Sequence, residues 1–176
     1  MNARYGFYFE SDRCIKCFSC EIACKQWHGI KARTIKLRKV VEVTTGTFPE
    51  VSRKFYSLSC RHCAKAPCAA ACPSGAISRR IEDGIVVVDS SKCIGCRSCF
   101  DACPFGIPQF DEDGTMRKCD MCLDRVEMGQ RPICVATCPT QALKWGTMEE
   151  LSDFATRKLA RKVVGDDVLY SEKPDK

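Results

Sequence analysis

The chain has 176 residues, with 28 Lys and Arg against 22 Asp and Glu for a formal charge of +6, and it carries 16 cysteines. Its longest run of branched aliphatics is Ile85-Val86-Val87-Val88, far below the roughly 18 apolar residues of a membrane-spanning helix, so no transmembrane segment is expected. The basic count suggests nucleic acid only while the cysteines are treated as neutral, and their arrangement argues against that.

In chain order, the first cysteine quartet is Cys14, Cys17, Cys20 and Cys24, a C-x2-C-x2-C-x3-C run. Lys25 to Ser59 follows as the main insertion, with β-rich stretches at Thr34 to Val43 and Val51 to Leu58 joined through Thr45-Gly46-Thr47-Phe48-Pro49. That pattern predicts a hairpin or a surface for a partner. The second quartet is Cys60, Cys63, Cys68 and Cys72, closed by Pro73. Ala76 to Asp89 then reads as a hairpin, with Asp83-Gly84 as the turn between Ile81 and the aliphatic run. The third quartet is Cys93, Cys96, Cys99 and Cys103, closed by Pro104, and Asp113-Gly114 predicts a tight turn after it. The fourth is Cys119, Cys122, Cys134 and Cys138, closed by Pro139. Inside it, helix formers from Leu123 onward run into Gly129 and Pro132, which predicts a short helix and a stop. Thr147 is placed to cap a final helix through Val163, where Leu151, Phe154, Ala155 and Leu159 recur at helical spacing and are read as core. The polar tail from Gly165 to Lys176 is expected to need a partner for order.

The spacing and the prolines point to four [4Fe–4S] clusters. A cube offers four irons at its corners, and C-x2-C-x2-C can wrap three of them from one tight turn. The C-x3-C-P that follows carries its last cysteine toward a neighbouring cluster. Zinc is the first competing reading, because paired C-x2-C units also build zinc ribbons, but a tetrahedral ion has no use for the third cysteine at Cys20 or Cys99. A disulfide framework is disfavoured by thiols held so locally. The C-x3-C-x2-C signature of radical S-adenosylmethionine enzymes is absent. Each quartet is complete, so no open iron is required for substrate, and no Ser/His/Asp set or Gly-rich phosphate loop stands out. An oxidised cube with four thiolates carries about −2, so four would move the formal +6 to about −2 and remove the case for nucleic acid. Lys16, Arg61, Lys65, Lys92, Arg97 and Lys118, within or beside the quartets, are read as counter-charge or as solvated surface. His62, inside Cys60-Arg-His-Cys63, is read as a surface-loop histidine, and Trp27 and Trp145 as packing residues.

The ordered set of four quartets resembles the electron-transfer subunits of the dimethyl sulfoxide, polysulfide and thiosulfate reductases, over about Tyr5 to Gly146. It is also similar to the small four-cluster subunits of soluble tungsten enzymes of the aldehyde oxidoreductase type, including benzoyl-coenzyme A reductase. The resemblance implies a ligand exchange. Cys14, Cys17 and Cys20 share a cluster with Cys138, and Cys119, Cys122 and Cys134 share one with Cys24. Cys60, Cys63 and Cys68 pair with Cys103, and Cys93, Cys96 and Cys99 with Cys72. It further implies a molybdenum- or tungsten-pterin catalytic subunit as partner, nearest the first-quartet cluster, and a second electron-transfer protein or membrane quinone subunit beyond.

The expected fold is α+β, two ferredoxin-like modules of the bacterial two-[4Fe–4S] type, one nested within the other, with short helices and β-hairpins. The inner module spans 57–110 and the outer 1–30 plus 111–146, with a hairpin insertion at 31–56 and a helix and tail at 147–176, all in one compact unit of 1–176. The expected function is non-catalytic electron transfer within an oxidoreductase complex. A free-standing polyferredoxin and a structural zinc protein are the alternatives. Met1 to Glu10 shows neither a charged leader with an apolar core nor a twin-arginine signal, so the cytoplasm is expected, with the periplasmic side of the membrane as the alternative, reached alongside an exported partner.

Overall fold

Each cysteine quartet ends in a short helix, and this sets the scale of the whole architecture. The computed structural model describes residues 4–157 and 168–171. In the first quartet the helix is α1 (Ser19–Trp27), in the second α2 (Pro67–Ala70), and in the third α3 (Ser98–Asp101). The fourth quartet holds α4 (Leu123–Glu127) between its cysteines and ends in α5 (Ile133–Ala136). Pro73, Pro104 and Pro139 follow the fourth cysteine of their quartets, and α2, α3 and α5 stop after one turn, since proline cannot supply the next helical N–H. Lys25 stands at that place after Cys24, and α1 runs on to Trp27.

The strands are equally short. β1 (Tyr5–Glu10) pairs antiparallel with β8 (Leu143–Thr147) from Tyr5↔Thr147 to Phe9↔Leu143, and parallel with β9 (Val168–Ser171). β2 (Arg38–Thr45) and β3 (Ser52–Ser59) form the long hairpin. β4 (Ile77–Arg79) and β5 (Val86–Val88) form the hairpin expected around Asp83-Gly84, where Gly84 adopts φ +74° and Asp83 Oδ1 accepts from Ile85 N at 2.9 Å. β6 (Gln109–Phe110) and β7 (Met116–Arg117) close the turn at Asp113-Gly114. The long hairpin starts at Arg38 rather than Thr34, because Arg33 sits at φ +63° and Thr34 Oγ1 donates to Lys31 O at 2.7 Å, which holds that stretch as a loop.

Alternation along β1 separates two packing layers. Phe7 and Phe9 face the central core with Ile85, Met121, Val135 and Leu143, alongside Cys60, Cys119 and Cys134. Tyr8 faces the opposite side, against Leu151 and Ala155 of α6 (Met148–Arg157), and meets Phe154 edge-on at 4.9 Å. Thr147 caps α6 as expected: its Oγ1 accepts from Glu150 N at 3.2 Å, and Glu150 Oε2 accepts from Thr147 N at 2.8 Å, a reciprocal capping box. The rest of the expected helix, including Leu159 and Val163, lies outside the described residues, as does most of the polar tail. Trp145 stacks on Tyr5 at 4.8 Å, in agreement with a packing role. The observed class is α+β, built from short helices and small hairpin sheets.

Candidate metal centres

One local design recurs in all four quartets. The third cysteine is always the second residue of its helix: Cys20 in α1, Cys68 in α2, Cys99 in α3 and Cys134 in α5. The residue before the second cysteine always has a positive φ: Lys16 at 56°, His62 at 46°, Gly95 at 67° and Met121 at 64°. A left-handed residue turns neighbouring main-chain N–H groups to one side and makes an anion-binding concavity. The sulfurs collect such donors in two of the loops, where His62 N donates to Cys60 Sγ and Met121 N to Cys119 Sγ, each at 3.4 Å, while Cys93 Sγ accepts from Met116 N of β7 at 3.4 Å.

The cysteines gather across quartet boundaries. Cys14, Cys17, Cys20 and Cys138 line one hollow, Cys60, Cys63, Cys68 and Cys103 a second, and Cys72, Cys93, Cys96 and Cys99 a third. The remaining four, Cys24, Cys119, Cys122 and Cys134, are all buried and feel one another's charge. All sixteen cysteines are unbridged, so the disulfide reading finds no support.

The donor set fits an iron–sulfur cluster better than one ion. Around a single zinc with Zn–S near 2.3 Å, four sulfurs would stand within about 4 Å of each other. Among the described residues, only His28, Asp120 and Cys122 bring three potential ligand atoms within 4.8 Å of one another. Each quartet's sulfurs are therefore spread wider than one ion allows. No Asp, Glu or His lines any of the three hollows.

Electrostatics sorts the thiols by depth. Burial pushes the Cys24 and Cys122 thiols up to about 12, with neighbouring Cys134 adding to both, and burial also raises Cys119 well above the ordinary thiol value. Such thiols become thiolates only against compensating positive charge, which metal supplies. Exposed Cys17 and Cys96 are lowered instead, chiefly by hydrogen bonds from Ser19 and Ser98.

The surrounding side chains correct part of the expectation. His62 is not a surface residue. It is fully buried, its Nδ1 accepts from Val86 N at 3.0 Å, and burial, then Lys118 and Arg38, hold its pKa well below the usual histidine value. Its left-handed backbone turns it inward from the Cys60–Cys63 loop. Among the six basic residues singled out, Lys118 alone is buried, with Nζ donating to Val86 O and, at 3.0 Å, to Cys119 O. Lys16 pairs with Glu42, and Lys92 with Asp89 at 2.9 Å. Arg61 covers the Phe105 ring, Arg97 covers Phe110, and Lys65 is exposed. Trp27 is half-exposed, donates Nε1 to Asp124 at 2.9 Å and lies under Arg125, so it ties α1 to α4. Three further residues near the sulfurs carry no signal in the sequence. His28 reaches Cys122 Sγ at 3.5 Å, Ser57 Oγ lies 3.5 Å from Cys20 Sγ, and buried Arg38 donates to that same Ser57 Oγ.

Comparison with known proteins agrees with the site. The domain described as "4Fe-4S dicluster domain" matches residues 51–148, and a "4Fe-4S binding domain" matches residues 11–27. The chain is 44% identical over 160 residues to the B subunit of the anaerobic dimethyl sulfoxide reductase of Escherichia coli (strain K12), covering 86% of this chain and 77% of that subunit. The chain belongs to the 4Fe–4S dicluster family of iron–sulfur subunits. Within this family it is also 39% identical over 150 residues to the thiosulfate reductase electron transfer subunit PhsB of Salmonella typhi, covering 84% and 78%. It is 35% identical over 186 residues to the formate dehydrogenase iron-sulfur subunit of Wolinella succinogenes, covering 93% and 91%. Members of this kind carry electrons for a reductase or dehydrogenase and are not its catalytic subunit. Among the described residues no helix is long and apolar enough to cross a membrane.

Proposed function

We propose that this iron–sulfur subunit holds four [4Fe–4S] clusters through all sixteen cysteines and serves a molybdenum- or tungsten-pterin catalytic subunit. The observation that supports the reading is the gathering of twelve sulfurs into three groups of four around hollows, with Cys24, Cys119, Cys122 and Cys134 buried as the remaining four, and no three sulfurs among the described residues close enough for a single ion. The proposed ligand sets are Cys14, Cys17, Cys20, Cys138; Cys24, Cys119, Cys122, Cys134; Cys60, Cys63, Cys68, Cys103; and Cys72, Cys93, Cys96, Cys99. Bound clusters of this type supply one-electron storage and tunnelling between near neighbours.

The chain's own residues do the holding and the spacing. Short helices deliver the third cysteine of each quartet to one site and the fourth to another, so removing either site strains its neighbour. On this reading, residues 57–110 form an inner two-cluster module nested in an outer one built from 1–30 and 111–146. Four protein sulfurs per cluster leave no iron open to substrate, in keeping with a carrier rather than a catalyst. Exposed Cys17 and Cys96 place one sulfur of the Cys14, Cys17, Cys20, Cys138 set and one of the Cys72, Cys93, Cys96, Cys99 set at the surface, where electrons would enter or leave through partners. The relatives' names, a reductase B subunit, an electron transfer subunit and a dehydrogenase iron–sulfur subunit, support a complex with a larger catalytic subunit on one side and a second redox partner on the other. The proposed compartment is the cytoplasm, checked by cell fractionation with the complex intact.

Affinity purification of the tagged chain under anaerobic conditions tests the partner. Recovery of a large pterin-containing subunit in about one-to-one ratio is the expected result. Purification of the chain alone, loaded and able to exchange electrons with several enzymes, would establish the free polyferredoxin instead.

A further inference from the structure

Arg38 is 2% exposed, the most deeply buried of the formally charged side chains among the described residues. It opens β2 and lies with its guanidinium 4.6 Å from the centroid of the Phe7 ring. Nη1 donates to Ser57 O at 3.3 Å and to Ser57 Oγ at 3.1 Å, while Nε and Nη2 are buried without a hydrogen-bond partner. Among the described residues no carboxylate pairs with it. An uncompensated guanidinium in an interior is strongly unfavourable, so its partner must be another anion. The groups around it identify that anion. Ser57 Oγ, which accepts from Nη1, lies 3.5 Å from Cys20 Sγ, and the Phe7 ring beside the guanidinium packs with Cys119 and Cys134; as thiolates, Cys134, Cys119, Cys20 and Cys24 favour the charged guanidinium against burial. Cys20 belongs to the first proposed ligand set, and the other three belong to the Cys24, Cys119, Cys122, Cys134 set.

We propose that Arg38 is the shared counter-charge of these two cluster sites, with its unpartnered Nε–H and Nη2–H directed to their sulfur, and that it raises the reduction potential of both. The inference rests on the four-cluster reading. Reduction adds one electron, and therefore one negative charge, to a cluster. A fixed cation nearby in low dielectric stabilises the reduced form more than the oxidised one, so the potential rises. Arginine suits the task because it stays protonated and offers several donors in a fixed plane. Lys118, the other deeply buried cation, already spends two donors on the carbonyls of Val86 and Cys119. Arg38 has the N–H groups of two nitrogens, Nε and Nη2, to spare.

The test is an anaerobic potentiometric titration, followed by electron paramagnetic resonance, of the cluster-loaded full chain as wild type, Arg38→Met, Arg38→Gln and Arg38→Lys. Cys17→Ser and Cys122→Ser assign the two signals. In the neutral variants the reduced-to-oxidised ratio of those two clusters at fixed ambient potential is expected to fall about tenfold, which is ~59 mV for a one-electron couple. The other two clusters should hold, and Arg38→Lys should keep all four within about threefold, or ~30 mV. Unchanged midpoints in the neutral variants, an equal shift of all four, or a Lys variant as shifted as Met would each overturn the proposal. If the neutral variants cannot keep every cluster, loss confined to the Arg38-facing pair supports it, and loss of all four overturns it. Iron content of the wild type judges the four-cluster reading separately.

Discussion

His62 shows how much one side chain can hold in so small an interior. Its Nδ1 is the acceptor for Val86 N, the first residue of β5, and neither group reaches water. His62→Leu leaves that N–H unsatisfied, and a buried unsatisfied donor costs about 1–3 kcal/mol. A lower thermal unfolding midpoint for the loaded variant is therefore expected, with cluster content near wild type, and an unchanged midpoint would show that the hydrogen bond contributes nothing. Neither His62 nor Arg38 could be read as interior from sequence. His62 sits among polar and small residues in a loop, and Arg38 begins a strand whose outer half is exposed. Their burial comes from contacts far along the chain, between β2 and β3 and between the Cys60 loop and β5, which no local periodicity encodes. The cysteines, by contrast, were legible because their ligand chemistry is written in short spacings.

At the scale of elements, the turn-driven hairpins were readable and the loop conformations were not. Asp83-Gly84 and Asp113-Gly114 announce their turns, since glycine reaches positive φ without strain. The same conformation recurs before the second cysteine of every quartet, yet only Gly95 signals it by residue type. Lys16, His62 and Met121 are held there by the surrounding fold. Gly95 makes this testable, because a Cβ there would stand 3.0 Å from Gly114 O as well as adopting φ +67°. Gly95→Val is expected to disable the Cys72, Cys93, Cys96, Cys99 site and lower the iron from about sixteen to about twelve per chain. Full loading would mean that the loop tolerates a branched residue and that its left-handed turn is incidental. The insertion hairpin also changes meaning at this scale. Expected as a hairpin or a partner surface, it delivers Arg38, Val40 and Ser57 to the interior, and Glu21 of α1 accepts from Val40 N at 3.0 Å. It is part of the site.

For the whole molecule, the pairing of β1 with β8 brings the two ends of the cysteine pattern together, as the exchange of Cys24 and Cys138 requires. That long-range register had no local signature beyond the exchange itself. If the exchange holds, Cys14→Ser and Cys138→Ser should perturb the same cluster signal, and different signals would refute the proposed ligand sets. Charge follows the same accounting at this scale: four clusters at about −2 each turn a formally basic chain mildly acidic, and weak retention of the loaded protein on nucleic acid is the corollary. The most direct measurement is iron and acid-labile sulfide in the anaerobically purified chain. About sixteen irons and sixteen sulfides per chain are expected from four [4Fe–4S] clusters. About four zinc ions with no sulfide would contradict this and make the chain a structural zinc protein.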